Sequence, residues 1–220
     1  MNEPEQPEPS EQPEPLDPRT VIVLLAVMVE GGLIVLALFL GWLMGNPPLA
    51  RFFWSLPHSG IGVAATLPML VLFFAMLRWP VGPLGKIKKF FDEQFRPLLA
   101  SCTLLDLFGI AVLAGFGEEM FFRGVCQATL AEWTGRPWLA LVLASVLFGV
   151  AHAITLTYAL LAAAMGAWLG WLWLWCDNLL PAILAHALYD FVALVLLLRA
   201  WGEVPQNREP PSSRSGAGLP

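Results

Sequence analysis

The stretch Ala114-Gly-Phe-Gly-Glu-Glu-Met-Phe-Phe-Arg-Gly124 places two adjacent acids, Glu118 and Glu119, in a run that is almost wholly apolar back to about Leu98. Ionisable side chains at membrane depth are expensive and persist where they pair or do chemistry. Two further spaced pairs lie in equally apolar surroundings, Phe148 with His152 and His186 with Asp190. Two carboxylates, an arginine, two imidazoles and an aspartate in apolar helices read as one buried polar site.

Composition agrees with a membrane setting. Of the 220 residues, 57% are hydrophobic and 13% charged, whereas soluble domains carry about 25% charged residues. The net charge of -5 comes largely from the first eighteen residues and marks no acidic partner surface. The basic residues are scattered, which speaks against nucleic acid as a partner. The three cysteines, Cys102, Cys126 and Cys176, show no metal-ligand spacing and read as free buried thiols.

A spanning helix needs about 20 mostly apolar residues, and the chain offers six candidates, so the expected fold is an all-α polytopic bundle. They run from about Thr20 to Gly45, Ser59 to Leu77, Leu98 to as far as Glu132, Pro137 to His152, Thr155 to Trp175, and Leu179 to Leu198. Pro80 and Pro83 break the second from a segment, Leu84–Phe95, whose lysines and phenylalanines form an amphipathic, interfacial pattern. The expected organisation is a Pro/Glu-rich disordered tail at 1–18, two membrane helices plus the amphipathic connector at 19–97, a four-helix core at 98–199, and a disordered tail at 200–220. The first tail lacks a signal-peptide n-region, so the first helix is expected to stay as an anchor. The last carries no lipidation signal.

Lys86, Lys88, Lys89 and Arg96 place the second connection inside, and an even number of spans puts both termini in the cytoplasm. Arg51 in the first connection dissents. The expected location is a bacterial cytoplasmic membrane, with lipid as a partner. Gly166 and Gly170 form a small-xxx-small face suited to helix packing. Trp168, Trp171 and Trp175 form an anchoring stripe. Glu30 and Asp106 read as packing residues with buried partners; Glu30 has substrate contact as its alternative.

Glu119 and Arg123 are four apart, so they share a helix face with the acid on the N-terminal side, the favourable order for an ion pair. Glu118 is rotated by about 100° from its neighbour. Glu119 can therefore be held by Arg123 while Glu118 points into the bundle. Phe148 and His152 share a face, as do His186 and Asp190. A glutamate with a histidine polarises water, and a second histidine with a hydrogen-bonding neighbour stabilises an oxyanion. These parts suit amide hydrolysis. Glu118, His152 and His186 are also a ligand set for catalytic zinc.

The ordered series Glu118-Glu119-x-x-x-Arg123, Phe148-x-x-x-His152 and His186-x-x-x-Asp190 resembles the three motifs of the CPBP family. These are the CAAX-protease and bacteriocin-processing (Abi) intramembrane proteases, related to the Ras-converting CAAX endopeptidase. Phe122-Arg123-Gly124, Phe148-Gly149 and Pro181-Ala-Ile-Leu-Ala-His186 match as well, and the resemblance covers about Leu98 to Leu198. It implies a helical membrane core and peptidase activity near the C-terminus of a prenylated or otherwise membrane-associated peptide substrate. By position, Glu118 is the water-activating base assisted by His152, and His186 with Asp190 stabilises the oxyanion. Glu119, Arg123 and Phe148 are supporting. The family is often labelled metalloprotease, but its motifs also suit metal-independent glutamate catalysis, the favoured reading, with Zn2+ as the alternative.

One departure matters. The eukaryotic CAAX branch carries Asn where this chain has Asp190. An ionised Asp cannot donate to an oxyanion. Asp190 is thus protonated, or orients His186, or belongs to a metal shell. Two other functions remain open, a proton- or ion-coupled transporter using the same groups as a relay and a non-catalytic scaffold or immunity protein.

Overall fold

The structure, a computed structural model, describes residues 16–199. Residues 1–15 and the whole expected tail at 200–220 lie outside the described residues. What is described is all helical: α1 (Pro18–Leu43), α2 (Leu56–Arg78), α3 (Pro83–Leu99), α4 (Leu104–Thr134), α5 (Pro137–Ala151), α6 (Leu156–Cys176) and α7 (Leu180–Arg199). Polar residues start four of them. Asp17, Ser55, Thr103 and Thr155 each accept, at the side chain, a backbone N–H of the first turn. Thr103 and Asp106 complete a reciprocal capping box. This cap is why α4 begins at Leu104 rather than near Leu98.

The chain is an integral, polytopic membrane bundle. Four helices, α1, α2, α6 and α7, are long and apolar enough to cross a bilayer, and a fifth span results if α3 and α4, bent by 117°, count as one. The fourth expected candidate, Pro137 to His152, is α5, an apolar helix of 15 residues that His152 caps, shorter than a full span. The helix axes still alternate. Ile22 of α1, Leu99, Leu107 of α4 and Leu197 of α7 pack at one end. Ala37 of α1, Val125 of α4, Trp173 of α6 and Ile183 of α7 pack at the other. The start of α1 and the end of α7 therefore lie at the same end of the bundle.

The N-terminal helices join the bundle directly, α1 against α4 and α2 against α7. Asp106 has its partner, since Arg19 of α1 donates to it at 2.7 and 3.0 Å. Arg51 is not a free charge either. It pairs with Asp177 at 2.8 Å and lies 5.2 Å from the Trp173 ring centroid, so its weight in a charge-based topology is reduced. Where α4 crosses α7, Gly115 lies against Ala187, and a Cβ there would stand 2.7 Å from the Ala187 amide nitrogen. That close crossing brings the turn after Gly115, with both glutamates, onto the face of α7 that carries His186.

Candidate active site

From Met120 to Gln127, α4 winds in wider i→i+5 turns, a deviation from α geometry that is frequent at functional sites. It begins immediately after the two glutamates and carries Arg123. The expected ion pair forms: Arg123 Nη1 donates to Glu119 Oε1 at 2.6 Å, with both side chains buried. Arg123 Nη2 donates to the Gly166 carbonyl at 2.8 Å, and four residues on, Gln127 Nε2 donates to the Gly170 carbonyl at 3.1 Å. The small-residue face of α6 is thus more than a packing surface. Its exposed carbonyls receive two rungs from α4.

Glu119 also accepts from α7. His186 Nδ1 lies 2.8 Å from the same Oε1. Glu119 pairs with a guanidinium on one side and an imidazole on the other, and is itself fully buried. The ring of Phe148 fills the space between. It stacks on His152 at 4.4 Å, presents an edge relationship to His186 at 6.0 Å, and lies 4.8 Å under the Arg123 guanidinium carbon. Phe148 therefore lies beside the Arg123 guanidinium and both imidazoles of the site.

Glu118 points the other way, as expected from its rotation on the helix. Its Oε2 is buried, makes no hydrogen bond, and lies 3.6 Å from His152 Nε2. His152 Nδ1 is 2.9 Å from the Phe148 carbonyl oxygen. A carbonyl only accepts, so Nδ1 carries the proton and Nε2 is the nitrogen that faces Glu118. Asp190 Oδ2 lies 3.4 Å from His186 Nε2. With His186 already oriented through Nδ1 by Glu119, Asp190 faces the nitrogen left over.

Glu118, His152, His186 and Asp190 all line one cavity of about 410 Å3. Much of its remaining wall is apolar, with Phe73 and Met76 of α2, Leu161 and Met165 of α6, Trp79 and Val81 of the α2–α3 turn, and Leu84 of α3. A concave apolar chamber with a few converging polar groups is the usual form of a small-ligand or catalytic site. The structure brings the seven motif residues together at one site. It also adds residues the spacing did not flag. Tyr158 and Tyr189, the two tyrosines of the whole chain, both line the chamber. Gln127 extends the Glu119–Arg123 face by one more four-residue step, and that periodicity was available in the sequence.

Zinc was the alternative cofactor. Among the described residues, no three His, Cys, Asp or Glu side chains are grouped to hold a metal ion. Of the expected ligands, His186 has Nδ1 committed to Glu119. That contact holds the ring and leaves His186 Nε2 as the nitrogen facing the chamber.

Glu30 differs from its sequence reading. Its Oε2 is buried and makes no hydrogen bond among the described residues, and it lines a cavity with Glu118 and Asp190.

Comparison with known proteins places this geometry. Residues 100–192 match the family described as Type II CAAX prenyl endopeptidase Rce1-like. The chain is 30% identical over 138 residues to the uncharacterized protein YpbD of Bacillus subtilis (strain 168), across 60% of this chain and 64% of that relative. The chain thus spans less than two thirds of the length of the curated relative it matches. No solved structure matches it. All seven motif residues fall inside residues 100–192, the segment that matches this family.

Proposed function

We propose that this protein is an intramembrane endopeptidase that hydrolyses a peptide bond of a membrane-associated, prenylated or otherwise lipidated substrate by metal-independent glutamate catalysis. One observation carries the reading. Glu118 presents an unpartnered carboxylate oxygen beside His152 Nε2, in the apolar chamber that His186 and Asp190 also face.

The steps follow from the positions. A water seated against Glu118 Oε2 and His152 Nε2 loses a proton to Glu118 as its oxygen attacks the scissile carbonyl. The negative charge develops on the carbonyl oxygen. His186, when doubly protonated, donates from Nε2, and a protonated Asp190 donates beside it. Such preorganised donors in a dry site typically contribute about 10²–10³ in rate each. Glu118 then returns its proton to the amide nitrogen, the C–N bond breaks, and an acid and an amine leave. Glu119 and Arg123 do not touch the reacting atoms. They hold the His186 ring at Nδ1, so that Nε2 faces the chamber.

Lys86, Lys88 and Lys89 on α3 favour the cytoplasmic face for the end of the bundle that carries the α2–α3 turn. We read both termini as cytoplasmic and the membrane as a bacterial cytoplasmic one. The chamber would then take its substrate from the inner leaflet.

The test is proteolysis by the purified protein in detergent or nanodiscs. Peptides carrying a lipidated cysteine near the C-terminus are compared with unlipidated ones, and products are read by mass. Cleavage by wild type and none by Glu118→Gln supports the reading. Absence of cleavage across the panel, with folded protein, sinks it.

A further inference from the structure

The proposed mechanism leaves one half-buried carboxylate, Glu30, without a task. Glu30 lies on α1, outside residues 100–192. Its helix meets α4 at Gly117, where a Cβ would stand 3.0 Å from the Glu30 carbonyl oxygen and 3.6 Å from Glu30 Oε2. Glu30 is therefore packed beside the residue that precedes Glu118. The charged groups that act on it are Glu118, His186, Asp190 and His152, the proposed catalytic set.

Glu30 also opens onto space. A second chamber of about 260 Å3 is lined by Glu30, Glu118 and Asp190, together with Tyr158, Tyr189 and Lys88. Lys88 is engaged with Asp92 at 2.8 Å, and Glu118 and Asp190 face His152 and His186 at 3.6 and 3.4 Å. Oε2 of Glu30 and Oε2 of Glu118 are both buried without a hydrogen bond, and Glu118 is only 9% exposed. Buried carboxylate oxygens need donors. A cation or an N–H group is the chemistry that this chamber lacks.

The two chambers meet at Glu118 and Asp190. His152, His186 and Phe148 line the larger, and Glu30 and Lys88 the smaller. The water-activating and oxyanion groups thus lie on the larger side, where the acyl half of a substrate belongs. The other half then extends into the smaller chamber. Hydrolysis forms a C–O bond from water, breaks the C–N bond and delivers the proton held by Glu118 to nitrogen. At neutral pH the products are a carboxylate and an ammonium.

We propose that Glu30 is a specificity-determining residue that binds the amine half of the substrate in the smaller chamber and pairs with the new ammonium group. The proposal rests on the peptidase reading for the origin of the amine, but the binding preference itself is independent of turnover. It also implies selection against an acidic residue just beyond the scissile bond, because that side chain would meet Glu30.

The experiment measures binding of trileucine amide and of N-acetyl-trileucine amide to the full chain in nanodiscs, by calorimetry. The expected result is tighter binding of the free amine by about tenfold or more, the worth of one charge-assisted hydrogen bond. Glu30→Gln should abolish that preference and leave the acetylated peptide's affinity unchanged, while Glu30→Asp, which keeps the charge, retains part of it. In a turnover assay the free amine should inhibit wild type competitively and spare Glu30→Gln. Equal affinity of wild type for the two peptides overturns the proposal, as does a preference that survives Glu30→Gln. The two readings separate cleanly. A preference without any cleavage removes the peptidase and keeps the amine site; cleavage without a preference does the reverse.

Discussion

His186 and Glu119 are joined across two helices by a 2.8 Å contact between Nδ1 and Oε1, the same oxygen that Arg123 reaches at 2.6 Å. The second carboxylate of the Glu-Glu pair is thus a junction between α4 and α7. It determines which imidazole nitrogen is left for the chamber, and it divides the labour of two chemically identical neighbours by position alone.

Glu118→Gln should abolish peptide cleavage while the protein stays folded and membrane-inserted. Gln fills the same volume but cannot accept a proton from water. Glu119 cannot substitute, because it does not line the chamber and its Oε1 is shared by Arg123 and His186. Full turnover by the Gln variant in a verified substrate assay would remove Glu118 as the base.

Arg123→Ala should act on stability first. It leaves Glu119 buried with a single partner and empties the Gly166 carbonyl, and breaking a buried ion pair costs about 3–5 kcal/mol. The measurement is thermal unfolding in one detergent, with yield as a second readout. A melting temperature equal to that of wild type would refute the pair's structural role. Arg123→Lys keeps a charge but loses the fork that spans Glu119 and Gly166, so it should fall between the two.

Asp190→Asn should retain activity and chelator insensitivity. Asn still offers a donor to an oxyanion and an acceptor to His186 Nε2, and Glu119 keeps the ring in place from its other side. An inactive variant that zinc rescues, alongside a chelator-sensitive wild type, would establish a metalloprotease instead.

Gly115→Ala should be more damaging than Gly109→Ala on the same helix. A Cβ at Gly115 meets the α7 backbone at 2.7 Å, whereas one at Gly109 meets nothing within 4 Å. Overpacking costs about 1–3 kcal/mol, and here it would also push Glu119 away from His186. Comparison of unfolding temperatures and activity for the two variants checks this. Equal behaviour would mean that the α4–α7 crossing does not set the site.

Much of this was legible in the sequence for definite reasons. Four-residue spacing forces Glu119 onto Arg123, Phe148 onto His152 and His186 onto Asp190, because an α-helix returns to the same face at that interval. Apolar runs and the Pro80–Pro83 break located the helices. What stayed hidden depends on contacts between helices. The union of Glu119 with His186 spans 67 residues of chain, and no local rule encodes it. The same holds for Glu30, whose place in a cavity with Glu118 and Asp190 is a fact of how α1 crosses α4. The start of α4 was misplaced because a capping box at Thr103 and Asp106 outranked an unbroken apolar run. The count of spans depended on α5, whose apolar run was read through to the residue that caps it.

That short helix bears on hydration. At 1.5 Å per residue, the 15 residues of α5 reach about 22 Å, against roughly 30 Å of hydrocarbon in a bilayer. The mismatch must be met by thinning of the lipid, by tilt, or by headgroups and water dipping toward the helix end. The end in question is His152, the residue that a hydrolytic reaction needs to be wet. A helix too short for its solvent would thus supply the second substrate, water, without any channel through the protein. Turnover in vesicles of increasing acyl-chain length reads this directly, and should fall as the hydrocarbon thickens.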